Sequence, residues 1–220
     1  MATNILKSIK GKVVRLTRLD SCGNVVVGSC TTLVSECFVS VTLSPEIEAG
    51  EDYLQKSAWG DLCINDRNMD QIRWYNVTIE FAEINPDALD IIANTTPIVS
   101  SGDTIGTWIG TGTNDEAFAL EVWTKRTGVD CTTGASQEWG YFVLPYVRNG
   151  RVEGDVTIEN GVLTMSVMGM AFGAPANWGL GPYDADPIPV AMPAGELLGI
   201  AVTTTQPPTD TEGCIAYTGS

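Results

Sequence analysis

The chain has 220 residues, 44% of them hydrophobic, a formal net charge of −15 and no histidine. Its hydrophobic fraction excludes global disorder, and no stretch approaches the roughly 18 continuous apolar residues of a membrane span. Acidity on this scale argues against binding nucleic-acid phosphates, which needs clustered cations, and without histidine neither Ser-His-Asp nor Cys-His catalysis is possible in its usual form.

The charge is unevenly spread. All 12 basic residues lie at or before Arg151, and Lys7, Lys10, Lys12, Arg15 and Arg18 precede the first acid, Asp20. Residues 152–220 carry only acids: Glu153, Asp155, Glu159, Asp184, Asp186, Glu196, Asp210 and Glu212. Solubility is the plain reading of that excess. Residues 1–10 show no apolar h-region and no cleavage site, so no secretory signal is expected. Cys22, Cys30, Cys37, Cys63, Cys131 and Cys214 are scattered without zinc-site spacing, and reduced thiols are the expectation for a chain without an export signal.

Residues 12–19 read as a first strand, Asp20–Asn24 as a turn, and Val25–Val27 as a return before Gly28. Leu33–Leu43 reads as a second long strand. Residues 44–71 follow as a polar, acidic connection in which only Leu62-Cys63-Ile64 has strand character, with Tyr53, Leu54 and Trp59 as isolated large apolar groups. A connection this long inside a compact domain ordinarily has a task, and partner binding is the usual one.

Residues 73–94 carry the clearest local signal. Tyr75, Val77, Ile79 and Phe81 alternate with Asn76, Thr78 and Glu80, the period of two of a half-buried strand. Asn85 then offers a capping side chain, Pro86 a pre-set φ, and Asp87 a negative charge at the positive end of a helix. Leu89, Ile92 and Ala93 form its apolar stripe, and Asn94 with Pro97 ends it. About two turns are unstable alone, so this helix is expected to lie against a sheet.

Ile98–Thr113 is rich in Gly, Ser and Thr and reads as a loop; Phe118–Lys125 alternates as a strand, and 127–136 is a further loop. Trp139–Val147, Val152–Ile158 and Val162–Phe172 are separated by Asn149-Gly150 and Asn160-Gly161, which predicts an antiparallel meander with type I′ turns. Residues 173–196 read as an irregular loop containing Trp178 and Tyr183, Leu197–Thr204 as a last strand, and Gln206-Pro-Pro as the start of a tail. The expected organisation is one domain over 1–205 with a short tail at 206–220.

Motifs with chemistry give little. Gly110-Thr-Gly112 lacks the Gly-Lys-Ser/Thr of a phosphate loop. Asp66-Arg-Asn68-Met-Asp70 opens like a calcium loop, but Gln71 and Val77 occupy the positions that need glycine and glutamate. Asn76-Val-Thr78 and Asn94-Thr-Thr96 match the glycosylation pattern, which has no bearing without export. Glu121, Glu138 or Asp155 near Trp123 and Trp139 could form a glycosidase pair, yet solvent-facing acids on alternate strand positions explain them equally. No catalytic residue, metal or cofactor is expected.

An ordered set of stretches resembles the major tail proteins, or tail tube proteins, of long, non-contractile-tailed (siphovirus-type) bacteriophages, especially those of actinobacterial phages. These are Lys12–Asp20 with Ser21-Cys-Gly23, Phe38-Val-Ser-Val41, Glu46-Ile-Glu-Ala-Gly-Glu51, Leu62-Cys-Ile-Asn-Asp66 and Glu83-Ile-Asn-Pro-Asp-Ala-Leu89. Further along come Trp139-Gly-Tyr-Phe-Val-Leu-Pro145, Asp155–Leu163 and Asn177–Asp184. The resemblance implies a mainly β protein: an antiparallel β-sandwich or barrel of the tail-tube type with one short flanking helix, about 86–93, and long assembly loops. It implies six copies per ring, and rings stacked into a tube that surrounds the tape-measure protein and later conducts DNA. Tail terminator and baseplate or distal tail proteins would be the other partners, the virion tail the location, and the host cytoplasm the place of assembly. Many relatives append an immunoglobulin-like domain, which is expected to be absent after Thr205.

Within that frame the basic residues 7–18, Lys7, Lys10 and Lys12 foremost, are expected to meet acids of the next ring, either those of the 44–52 loop (Glu46, Glu48, Glu51 and Asp52) or those of the C-terminal third. Tyr53, Leu54 and Trp59 are expected to make the main stacking contact. A virion decoration protein or a carbohydrate-binding β-sandwich is the alternative reading.

Overall fold

The computed structural model describes residues 8–110, 116–126, 137–153, 164–174, 188, 190–211 and 213–218. Within them the chain forms β1 (Ser8–Leu19), β2 (Gly28–Ser35), β3 (Phe38–Glu48), β4 (Asp52–Lys56), β5 (Leu62–Arg67), β6 (Gln71–Phe81) and α1 (Pro86–Ala93). Then come β7 (Thr96–Ser100), β8 (Asp103–Trp108), β9 (Ala117–Arg126), β10 (Trp139–Glu153), β11 (Met165–Ala171), β12 (Gly199–Thr203) and β13 (Ile215–Tyr217). The protein is mainly β, and all of its described strand pairs are antiparallel. No described helix is long and apolar enough to cross a membrane.

Nine strands make one sheet in the order β13-β2-β1-β9-β10-β11-β6-β3, with β12 alongside the first half of β10. Strands from both ends of that order share a single core: Val14, Leu16 and Leu33 meet Val77, Ile79 and Phe81, with Leu120, Leu144 and Val167 between them. The sheet therefore folds over on itself as a sandwich, consistent with the expected class. α1 packs into the same core through Ala88, Leu89, Ile91 and Ile92.

The 73–94 unit forms as its sequence predicts. Val77, Ile79 and Phe81 are buried, and the Asn85 side chain accepts from the Asp87 and Ala88 amides at 2.9 and 3.3 Å. Asn94 stops the helix in the left-handed conformation, φ 47°. The apolar stripe is shifted: Ala88 and Ile91 are buried with Leu89 and Ile92, while Ala93 is half-buried.

Other boundaries differ for physical reasons. Leu33–Leu43 is not one strand; it breaks at Glu36-Cys37, so that β2 pairs with β1 and β3 crosses to β6. Val25–Val27 makes only a single bridge, Val25 to Leu19. Asn149-Gly150 is not a turn: β10 runs through it, and the extra residues are a bulge in its pairing with β11. Asn149 takes the positive φ (56°), and Gly150 lets the strand approach α1 so closely that a Cβ there would lie 1.7 Å from the Ile92 carbonyl oxygen.

The Gly/Ser/Thr-rich stretch is ordered over its described residues. It holds the β7–β8 hairpin, whose two-residue turn Ser101-Gly102 has positive φ at both positions, as a type I′ turn requires. The Asn160-Gly161 turn and Asp155, Trp178, Tyr183 and Cys131 lie outside the described residues. The expectation of reduced thiols fails at one pair, because Cys30 and Cys214 form a disulfide; Cys22, Cys37 and Cys63 are free and exposed. Leu197–Thr204 contains β12, but β13 follows it and pairs with β2.

Candidate self-assembly surfaces

β3 and β6 stay paired well past the core, from Phe38↔Phe81 out to Glu48↔Gln71. Toward the core, 74–81 and all of 38–43 except Val39 and Thr42 are buried or half-buried, whereas 44–48 and 71–73 are exposed. β4 and β5 extend this pair as a hairpin in which every residue of both strands is exposed. Residues 44–73 are thus a projecting two-stranded arm rather than an irregular connection. The sequence hid it because a ribbon wet on both faces has no reason to alternate apolar with polar residues.

Local chemistry shapes the arm. At its base Asp70 accepts from the Gly50 amide (2.9 Å) and from Arg67 (3.1 Å), and the Asn68 amide donates to the Glu51 carbonyl (3.0 Å). The Gly50 amide bond, and then Arg67, hold the Asp70 carboxyl below its ordinary pKa. A Cβ at Gly50 would lie 1.8 Å from the Asn68 carbonyl oxygen, so only glycine fits this crossing. At the tip the Ser57 hydroxyl accepts from the Trp59 and Asp61 amides, and Gly60 takes the positive φ that closes the turn. Arg73 lies 4.7 Å from the Trp74 ring centroid and Trp74 stacks near Phe172, which anchors the root.

Among its polar residues the arm also exposes large apolar side chains. Trp59 is 94% exposed, Met69 87% and Leu54 62%, with Ile47, Tyr53, Leu62, Ile64 and Ile72 also exposed. The register puts Tyr53 and Ile64 on one face of the hairpin and Leu54 on the other. A lone two-stranded ribbon is marginal in water, and this one gains nothing from the core it leaves behind. Exposed apolar side chains on both faces mark a surface built to be covered.

A second surface lies at the β3 margin. β3 pairs with β6 on one side, and no described strand pairs with its other edge. Its inward residues Phe38, Val41 and Leu43 are only half-buried and face Val122, Phe142 and Leu144 across a cleft of about 330 Å³. Separately, the β7–β8 hairpin beside α1 exposes Val99, Ile105 and Trp108. Sequence reading missed all these residues except Tyr53, Leu54 and Trp59. The usable signal was the recurrence of Ile, Leu, Met and Trp inside otherwise polar stretches.

The expected charge contacts are largely engaged within the chain. Lys12 pairs with Glu36, Arg18 lies 2.7 Å from Asp90, and Arg15 reaches Glu121 in the interior. On the acidic side Glu48 pairs with Arg73 (3.5 Å), Asp52 with Arg67 (3.5 Å), and Glu51 accepts from the Tyr53 hydroxyl (2.7 Å). Lys10 and Glu46 are exposed, and Lys7 lies outside the described residues.

Two of the carboxylates considered for catalysis, Glu121 and Glu138, are engaged within the chain. Glu121 is not solvent-facing; it is fully buried, accepting from Arg15 at 2.5 and 2.6 Å and from the Tyr141 hydroxyl at 2.6 Å. It belongs to a second cluster on the far face of β9 and β10, with Trp123 and Tyr141. Glu138 pairs with Arg126. Asp66 and Asp70 of the calcium-like motif sit on β5 and at the arm base, where Asp70 is occupied by Gly50 and Arg67. Asp87 approaches Cys30 and Cys214, but those sulfurs are joined to each other and so are not thiolate ligands. Comparison with protein-family models and with curated proteins found no match to this chain.

Proposed function

We propose that this chain is the repeating subunit of a bacteriophage tail tube of the long, non-contractile type, a structural rather than catalytic role. Six copies close a ring, rings stack into a tube around the tape-measure protein, and DNA passes through the bore when the tape leaves. The observation that carries the reading is the arm: a projecting β-ribbon with apolar side chains on both faces and no core of its own is marginal alone and calls for a neighbouring copy to cover it. The unpaired β3 margin supports it, since an edge that is a liability in a monomer becomes a joint in a closed ring. A six-copy ring would carry about −90, six times −15, and any share facing the bore would repel phosphates. With Lys12, Arg15 and Arg18 engaged internally, ionic contact between rings narrows to Lys10 and its neighbours, and apolar burial on the arm dominates stacking.

Removing residues 52–67 and joining Glu51 to Asn68 through an Asn-Gly turn tests this. The variant is expected to fold, with unchanged circular dichroism, and to form no rings or tubes in negative stain. Tubes of normal length from that variant would end the proposal, as would purified wild-type protein that stays monomeric and binds glycans.

A further inference from the structure

After β12 the chain returns across the sheet and ends as β13 on the outer edge of β2. Its strand pairing there is short. β13 has three residues, two of them exposed, and pairs only at Ile215↔Thr32 and Tyr217↔Gly28 with a register break between. Among the described residues, single hydrogen bonds and the packing of Cys214 against the main core add to that pairing. The Thr211 amide and hydroxyl reach the Val34 carbonyl at 3.3 Å, and the Cys214 amide reaches the Asp87 carboxylate at 3.3 Å. The Asp210 carboxylate accepts from the Glu36 amide at 3.3 Å, and the Tyr217 amide donates to the Thr31 hydroxyl at 3.0 Å.

Across the same seam the Cys30–Cys214 disulfide joins residues 184 apart in sequence. Cys30 holds φ at 82°, a conformation that side-chain-bearing residues rarely adopt. So the strongest link between this segment and the sheet is covalent, and it sits on a backbone position the strand does not itself favour.

We propose that Cys30–Cys214 is a redox-operated latch on a sheet margin. Oxidised, it holds the segment ending in β13 over the outer edge of β2; reduced, it lets that segment leave and bares the edge. Opening needs a dithiol reductant. One of its thiolates attacks a bridge sulfur and expels the other cysteine as a thiolate, and its second thiol then resolves the mixed disulfide. Two electrons and two protons pass to the protein, which gains two thiols while the reductant becomes a disulfide. Closure is the reverse exchange with a small-molecule disulfide.

The neighbouring free thiol, Cys37, lines the same cleft as Asp87, Asp210 and Thr211. The charge of Glu83 foremost, with burial and the charges of Asp210 and Glu36, pushes its pKa up, which keeps it protonated and a poor attacker of the bridge. The latch concerns the edge of a single chain and stands independently of the tube assignment.

The test uses the full chain, oxidised with a small-molecule disulfide and mapped for a peptide linking Cys30 to Cys214. Amide hydrogen exchange is then followed with and without a dithiol, beside a Cys30→Ser/Cys214→Ser variant. The Thr211, Cys214 and Tyr217 amides are expected to exchange at least about tenfold faster on reduction. Amides of β9 and β10 should hold their rates, and the variant should match the reduced protein in both buffers. Failure to form the linked peptide would overturn the latch. So would a linked peptide whose reduction leaves those amides unchanged, or one whose reduction speeds β1, β9 and β10 equally, since the bond would then brace the whole fold.

Discussion

The buried Arg15–Glu121 pair offers the sharpest quantitative test of the fold. Glu121 has no exposed surface, and both its oxygens are engaged: Oε2 by Arg15 Nε, and Oε1 by Arg15 Nη2 and the Tyr141 hydroxyl. The Arg15 guanidinium also lies 5.1 Å from the Trp123 ring centroid. Replacing Glu121 by Gln keeps the shape but strands a buried cation, and removing one partner of such a pair costs about 3–5 kcal/mol. Arg15→Met strands the carboxylate and should cost about as much. Tyr141→Phe removes one bond to a carboxylate still paired with Arg15, for about 1.5–3 kcal/mol. Replacing both charges, as Arg15→Met with Glu121→Leu, should lie near wild type or be up to about 4 kcal/mol more stable, because neither charge is then left desolvated. Urea unfolding of these four variants and of Glu121→Leu alone, at one redox state, gives the coupling energy from the cycle of Arg15→Met, Glu121→Leu and their double. Single variants that each cost under about 1 kcal/mol and add in the double would refute the reasoning.

Further outcomes follow from named contacts. Trp59→Ser should leave unfolding unchanged, since the side chain is 94% exposed; half of a roughly 200 Å² ring covered by a neighbour is worth about 2.5 kcal/mol, so the critical concentration for tube formation, read by sedimentation, should rise about 70-fold. Gly150→Ala places a Cβ on the Ile92 carbonyl and should destabilise by about 1–3 kcal/mol in thermal unfolding; no change would mean that β10 and α1 are not in contact there. Asn85→Ala removes the cap of α1 and should cost about 1 kcal/mol in the same assay. Asp70, held below its ordinary value of 3.8 by the Gly50 amide and Arg67, contributes to the arm base fully above that value and progressively less as pH falls through its lowered folded pKa. Arm amide exchange should therefore be flat from neutral pH to about 4, after correction for intrinsic rates, and quicken below; Asp70→Asn should abolish that acid-side transition.

The parts of the fold legible in the sequence are those whose signals are local. Tyr75–Phe81 faces a core on one side only, so its period shows; Asn85, Pro86, Asp87 and Asn94 write both ends of α1 within ten residues. Where burial is not one-sided the period disappears. β9 is buried on both faces, so Glu121 read as a solvent position, and β4 and β5 are wet on both, so the arm read as loop. Asn149-Gly150 carries the same dipeptide in a bulge that it would in a turn, and only contact with Ile92 separates the two uses. The break at Glu36-Cys37 and the Cys30–Cys214 bridge depend on which distant strands lie alongside, which no local window contains. Of the assembly surface, isolated Tyr53, Leu54 and Trp59 were visible as large apolar groups out of place, while the half-buried Phe38, Val41 and Leu43 passed as ordinary core.

The central claim is that copies of this chain complete one another through the arm. Negative-stain imaging of purified wild-type protein beside the 52–67 deletion, at matched concentration and salt, tests it most directly. The account predicts hollow tubes or six-membered rings from the first and dispersed, folded monomers from the second; dispersed monomers from both, or tubes from both, would contradict it.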